Sequence, residues 1–199
     1  MALKQDMNSF VIRGKIVNMY HKDPIMILTI ATISGGERRD YPKVFFFNED
    51  LVKEIDSKYS VGSFVTVKGI LQTSKRYRSQ TFVGNEIEET PRVFEADFGL
   101  KGKGRHLEDV NEIKLRGKFI RVFIPESSGG NVAIATLRIE TDGYTNFPSV
   151  TCFGAAAKRA SEIAPDTQVC FIGQAQTHKI ESPDGTKYYE SAVGSIMPE

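Results

Sequence analysis

Asn8-Ser9-Phe10-Val11-Ile12-Arg13-Gly14-Lys15 returns, little changed, as Asn111-Glu112-Ile113-Lys114-Leu115-Arg116-Gly117-Lys118. Two further matches follow in the same order. Tyr41-Pro42-Lys43-Val44 answers Phe147-Pro148-Ser149-Val150, with Phe47 answering Phe153, and Gly69-Ile70-Leu71-Gln72-Thr73 answers Gly173-Gln174-Ala175-Gln176-Thr177. The spacing stays near roughly 105 residues, which marks a chain built from two copies of one unit. The repeats predict one domain over residues 1–90, a linker over 91–109 and a second domain over 110–199. Pro91, Gly99, Gly102 and Gly104, interleaved with Lys101, Lys103 and Arg105, suit a flexible basic connector. Those glycines lack the spacing and the βαβ setting of a dinucleotide fingerprint.

Within each copy the hydrophobic period is close to two, the period of strands. In the first, strands are expected over 8–19, 25–33, 41–47, 61–72 and 80–87. Gly14 interrupts the first of these, and a glycine inside a strand marks the bend or bulge that a closing barrel needs. Asn48 is placed to cap a short helix, with Leu51, Val52 and Ile55 as its apolar face. In the second copy the strands fall over 111–123, 131–140, 147–153, 167–177 and 186–196. Ala155-Ala156-Ala157-Lys158-Arg159 supplies the helix. The order β-β-β-α-β-β is that of the five-stranded Greek-key OB barrel. The fold class is therefore all-β with one short helix per domain, as two tandem OB barrels.

Composition narrows the function. Of 199 residues, 40% are hydrophobic and 26% charged, as in soluble globular proteins. No apolar run approaches the roughly 20 residues of a membrane helix, and Met1 to Met7 carries Lys4, Gln5 and Asp6 where a signal peptide would be apolar. A cytoplasmic location is the expectation. Cys152 and Cys170 sit in strand-like runs without CxxC or Cys/His spacing, so they read as small core residues rather than zinc ligands or a disulfide. His21, His106 and His178 are scattered, and no nucleophile elbow, P-loop or paired acid and base appears. Catalysis, metal binding and a cofactor are not expected. The net charge of +1 argues mildly against a phosphate binder, although a neutral total can conceal a basic groove.

The second copy resembles the bacterial single-stranded DNA-binding (SSB) family. Asp109 to Gly117 is similar to that family's first strand, and Phe147-Pro148-Ser149-Val150-Thr151-Cys152-Phe153-Gly154 to its third. Gly173 to Thr177 resembles its fourth, and Gly185-Thr186-Lys187-Tyr188-Tyr189-Glu190 the start of its fifth. The first copy is similar more loosely, with Tyr41 and Lys43 on the family's aromatic and basic positions and Phe47 on its later phenylalanine. The resemblance implies sequence-nonspecific binding of single-stranded DNA in replication, recombination or repair. It also implies assembly of four barrels, which two chains of this protein would supply as a homodimer. Three departures stand out. There is no Trp for stacking. Ser149 replaces the usual base, so the two barrels are expected to differ in affinity. The sequence closes Gly194-Ser195-Ile196-Met197-Pro198-Glu199 without the acidic tail that recruits partners in the family.

Binding a strand of any sequence needs cations for phosphates and aromatic faces for bases. The candidate platforms are Tyr41, Phe45, Phe47 and Tyr77, then Phe147, Phe153 and Tyr188. The candidate phosphate contacts are Arg13, Lys15, Lys43, Lys75, Arg76 and Arg78, then Arg116, Lys118 and Lys179. Alternation over 41–47 places Tyr41, Lys43, Phe45 and Phe47 outside if Lys43 is outside, and sends Val44 and Phe46 into the core. Lys75-Arg76-Tyr77-Arg78 falls between strands four and five, a loop by which OB folds meet their ligands. Arg13 and Lys15, like Arg116 and Lys118, stand equally well as phosphate contacts or as exposed neighbours of a structural glycine. RNA stays open as a ligand, because stacking does not distinguish the sugar. A protein-interaction adaptor with little DNA affinity is the rival reading, since OB folds host unrelated functions.

Overall fold

In the computed structural model, residues 5–34, 38–74, 79–90, 109–141, 143–182 and 185–199 are described. The first repeat forms β1 (Met7–Lys22), β2 (Ile25–Ser34), β3 (Arg38–Asp40), β4 (Lys43–Phe46), α1 (Glu49–Lys58), β5 (Phe64–Ser74) and β6 (Ser79–Glu89). The second forms β7 (Val110–Phe123), β8 (Val132–Thr141), β9 (Tyr144–Asn146), β10 (Ser149–Phe153), α2 (Ala155–Ser161), β11 (Gln168–Ser182) and β12 (Gly185–Pro198). Strand order closes each set into a ring of five. The first runs β1-β2-β4-β6-β5 and returns to β1; the second runs β7-β8-β10-β12-β11 and returns to β7. Only β10 and β12 are paired in parallel in the second ring's described ladders, Val150 beside Ala192 and Thr151 beside Val193. This is the Greek-key OB topology, present twice.

The expected third strands begin two residues late, at Lys43 and Ser149, and a short strand that was not expected, β3 or β9, stands before the proline of each. Pro42 and Pro148 have no N–H to give a ladder. Their carbonyls still accept, from Ile30 N at 3.1 Å and from Leu137 N at 3.0 Å, so the break leaves each strand attached. The helices form as read. The Asn48 side chain accepts from Leu51 N at 3.0 Å, and α1 buries Val52 and Ile55, with Leu51 half-buried. α2 buries Ala157 and Ala160. No helix among the described residues is long and apolar enough to cross a membrane.

Gly14 and Gly117 have a more specific task than bending. A Cβ at Gly14 would overlap the Ala31 carbonyl oxygen and stand 3.0 Å from its carbon. A Cβ at Gly117 would overlap the Arg138 oxygen and stand 2.9 Å from Ile139 Cγ1. The bulge follows a few residues later, between Ile16 and Asn18 in β1 and between Phe119 and Arg121 in β7. The glycine lets two strands close up, and the bulge then turns the ladder.

The chain divides into two compact units. One is Val11–Gly69 with Val83–Asn111, and its core is led by Ile12, Ile16, Leu28, Ile30, Val44 and Phe46. The other is Glu112–Glu199 with Met1–Phe10 and Ile70–Phe82. Its core holds Phe119, Leu137, Val150, Phe171 and Ile196, and it includes Phe10 edge-on to Phe82 at 5.4 Å. Thr73 and Gln80, although supplied by the first repeat, therefore pack in the unit that holds the second barrel.

Candidate functional site

The third strands alternate as their sequence dictates. Val44 and Phe46 are fully buried, Lys43 and Phe45 half-buried, and Tyr41 and Phe47 exposed at 42% and 45%. Phe45 and Phe47 stack at 6.3 Å, with 21° between their planes. In the second barrel Val150 and Cys152 are buried, Phe147 and Thr151 half-buried, and Ser149 and Phe153 exposed. Each barrel thus turns one edge of its third strand outward with an aromatic residue at either end.

Register defines what lies across that edge. In the first barrel Asn18 stands opposite Thr29, and Thr29 opposite Lys43. In the second, Arg121 stands opposite Thr136, and Thr136 opposite Ser149. The two rows correspond residue for residue. The cation that Ser149 lacks is supplied two strands away by Arg121, a shift of roughly 10 Å at ordinary strand spacing. Arg121 was not among the expected contacts. Asn18 and Arg121 each lie four residues after the matched glycine, but Asn18 is uncharged, so the repeat alone does not single out Arg121.

The first barrel has a cleft of about 310 Å³, lined in part by Lys15, Arg39, Tyr41 and Phe64. Lys15 and Tyr41 are thus brought together, joined by Arg39, which the sequence reading did not select. Arg13 is turned elsewhere: its Nε donates to Thr66 Oγ1 at 2.9 Å, a tie between strands. Lys75, Arg76, Tyr77 and Arg78 lie outside the described residues.

The second barrel has a larger cleft of about 560 Å³. Arg121, Thr136, Phe147, Ser149, Thr151 and Glu190 line it, with Thr73, Ser74, Ser79 and Gln80. Most of the other predicted contacts are not there. Arg116 is held by Glu199 at 2.6 Å, which raises its pKa further, and by the Gln5 carbonyl at 3.4 Å. With its side chain only 15% exposed, Arg116 is a structural ion pair. Lys118 lines a separate polar pocket, where Asp6 and Glu140 balance Lys118 and Arg138. Lys179 pairs with Glu181 at 2.5 Å. Tyr188 is 58% exposed opposite Lys179 on the β11–β12 hairpin, where Tyr189 stacks on His178 at 4.9 Å. Phe153 is exposed at the end of β10, outside the lining of this cleft.

The cysteines are not reactive centres. Burial pushes the Cys152 thiol up. Burial and then the hydrogen bond to Glu199 raise that of Cys170, with Arg116 opposing. Both remain thiols at neutral pH. No group of three or more His, Cys, Asp or Glu among the described residues could hold a metal ion.

No protein-family model matches the sequence, and no curated protein does. Solved structures do match. The wild-type single-stranded DNA binding protein from Thermus aquaticus superposes with a TM-score of 0.63 at 15% identity, over 98% of this chain and 94% of that one. A deletion mutant of the same protein gives 0.62 at 14% identity, over 98% and 95%. The chain therefore has the fold of the Thermus aquaticus single-stranded DNA binding protein over nearly its whole length.

Proposed function

We propose that this protein binds single-stranded DNA, largely without regard to sequence, and serves replication, recombination or repair. The supporting observation is the repeated outer edge. Both barrels present an aromatic residue at each end of the third strand, with one cation on the row that crosses it, Lys43 in one and Arg121 in the other. Stacking platforms beside backbone-tracking cations are what sequence-tolerant binding of a single strand requires. Likeness to the Thermus aquaticus protein supports the fold in which this edge is displayed.

The test is fluorescence anisotropy with labelled oligo-dT across a salt series, beside a duplex of equal length. The single strand is expected to bind tightly and the duplex weakly. Affinity should fall with salt, with log K losing about 0.7 per phosphate contact for each unit of log salt. Arg121→Ala should lower the slope by about 0.7, and an unchanged slope would remove Arg121 from the phosphate path. Absence of binding at low salt would overturn the reading. An oligoribonucleotide in the same series measures how far the sugar matters.

We also propose a homodimer, which would bring four barrels together. Equilibrium sedimentation should return twice the 22.2 kDa of one chain. A mass equal to one chain across micromolar concentrations would exclude it.

A further inference from the structure

Two exposed aromatic residues lie away from the third strands. Tyr20, on β1, is 52% exposed, and Phe123, on β7, is 62% exposed. Neither lines the cleft of its barrel. One exposed ring on a strand is ordinary. These two, however, occupy the same place in the repeat, each six residues after the matched glycine, Gly14 or Gly117. No residue of Ile16–Tyr20 is shared with its counterpart in Phe119–Phe123, yet an aromatic ring returns at the last position.

Register shows what these rings border. Tyr20 stands opposite Ile27, and Ile27 opposite Phe45. Phe123 stands opposite Ile134, and Ile134 opposite Thr151. Both isoleucines are half-buried. Each row lies two residues along its strands from the row that carries the cation, Lys43 or Arg121, and so on the same outer face. In the second barrel one further row holds Val132 opposite Phe153, so Phe123 and Phe153 flank an apolar strip on β8. Along β7, Arg121 and Phe123 stand about 7 Å apart at ordinary strand rise. That is comparable with the distance from a phosphate to the base of its own nucleotide.

A cation row bordered by an apolar aromatic row suits a ligand that is anionic along one side and flat and apolar along the other. A nucleic-acid strand is such a ligand, and a ring turned outward offers its face to any base. We propose that Tyr20 and Phe123 are base-stacking platforms, so that in each barrel the bound strand continues from the cation row onto the row beside it. The inference rests on the single-strand reading above and adds a second row of contacts to it.

The chain has no tryptophan, so Tyr20→Trp and Phe123→Trp each install a lone reporter whose emission a stacked base quenches. Emission should fall in step with oligo-dT binding followed by anisotropy. Tyr20→Ala and Phe123→Ala should each weaken oligo-dT by about fivefold or more, the worth of one stacked base. The slope of affinity against salt should hold, because no phosphate contact is lost. Tyr20→Leu and Phe123→Leu keep apolar bulk but no π face, and should lose as much as the alanine variants. All six changes are at exposed positions, so the melting temperature should hold. Each position stands or falls by its own variants. Emission that stays constant to saturation, an alanine variant that binds like wild type, or a leucine variant that recovers wild-type affinity would overturn the proposal and leave single-strand binding standing. A wild-type chain that binds no oligo-dT at low salt would overturn both.

Discussion

Gly117→Ala is expected to cost the second barrel about 3 kcal/mol and to lower its melting temperature by about 15 °C, followed by circular dichroism. The new methyl has nowhere to go. It would overlap the Arg138 carbonyl oxygen and press on Ile139 Cγ1 at 2.9 Å, and the first of these is backbone, which cannot rotate aside. Relief requires β7 and β8 to separate where Lys118 pairs with Arg138, just before the bulge at Phe119/Arg121. Gly129→Ala is the informative contrast. Gly129 has φ 56° and nothing within 4 Å of an added Cβ, so only left-handed strain is incurred, about 1 kcal/mol. If Gly117→Ala melted with the wild type, the two strands would not approach as closely as described. Gly14→Ala tests the same contact in the first barrel, against the Ala31 carbonyl.

These glycines show what sequence can and cannot convey. Their place in a matched octapeptide revealed the repeat, and their setting within a strand revealed a barrel. Alternation then gave the outer edge: a lysine at position 43 fixes the parity, and Val44 and Phe46 are buried as that parity requires. The Asn48 cap was legible because capping is local. What was not legible depends on partners far along the chain. Arg116 reads like any basic strand residue until Glu199 is found 2.6 Å away, 83 positions later. Gln80 is an ordinary polar residue until Ser149 N–H engages its oxygen. Arg121 was hidden by the bulge. Counted by simple alternation from Lys118 it belongs to the wrong face, and only the register shift between Phe119 and Arg121 brings it opposite Thr136.

Tyr41→Ala and Phe147→Ala are expected each to weaken oligo-dT binding by about tenfold or more, since a base stacked on an aromatic ring is worth roughly 1–3 kcal/mol. Neither ring is a core element, Tyr41 being 42% exposed and Phe147 half-buried, so the melting temperature should hold and the loss should lie in affinity. The double variant separates two modes of binding. If each barrel engages the strand through its own platform, the losses multiply to about a hundredfold, because distant independent sites add in free energy. If one barrel carries the strand alone, one single variant already shows the whole loss and the double adds nothing. The two rows predict the first outcome. Lys43 and Arg121 occupy different strands but corresponding rows, and each row ends at a third strand that has an aromatic residue, Tyr41 or Phe147, at its start. A barrel that had given up the strand would have no physical need for a cation restored two strands away from a lost one. Phe147→Leu completes the test, because it keeps most of the apolar volume and removes only the π face. Affinity retained in that variant would mean that Phe147 fills space and that the strand stacks elsewhere.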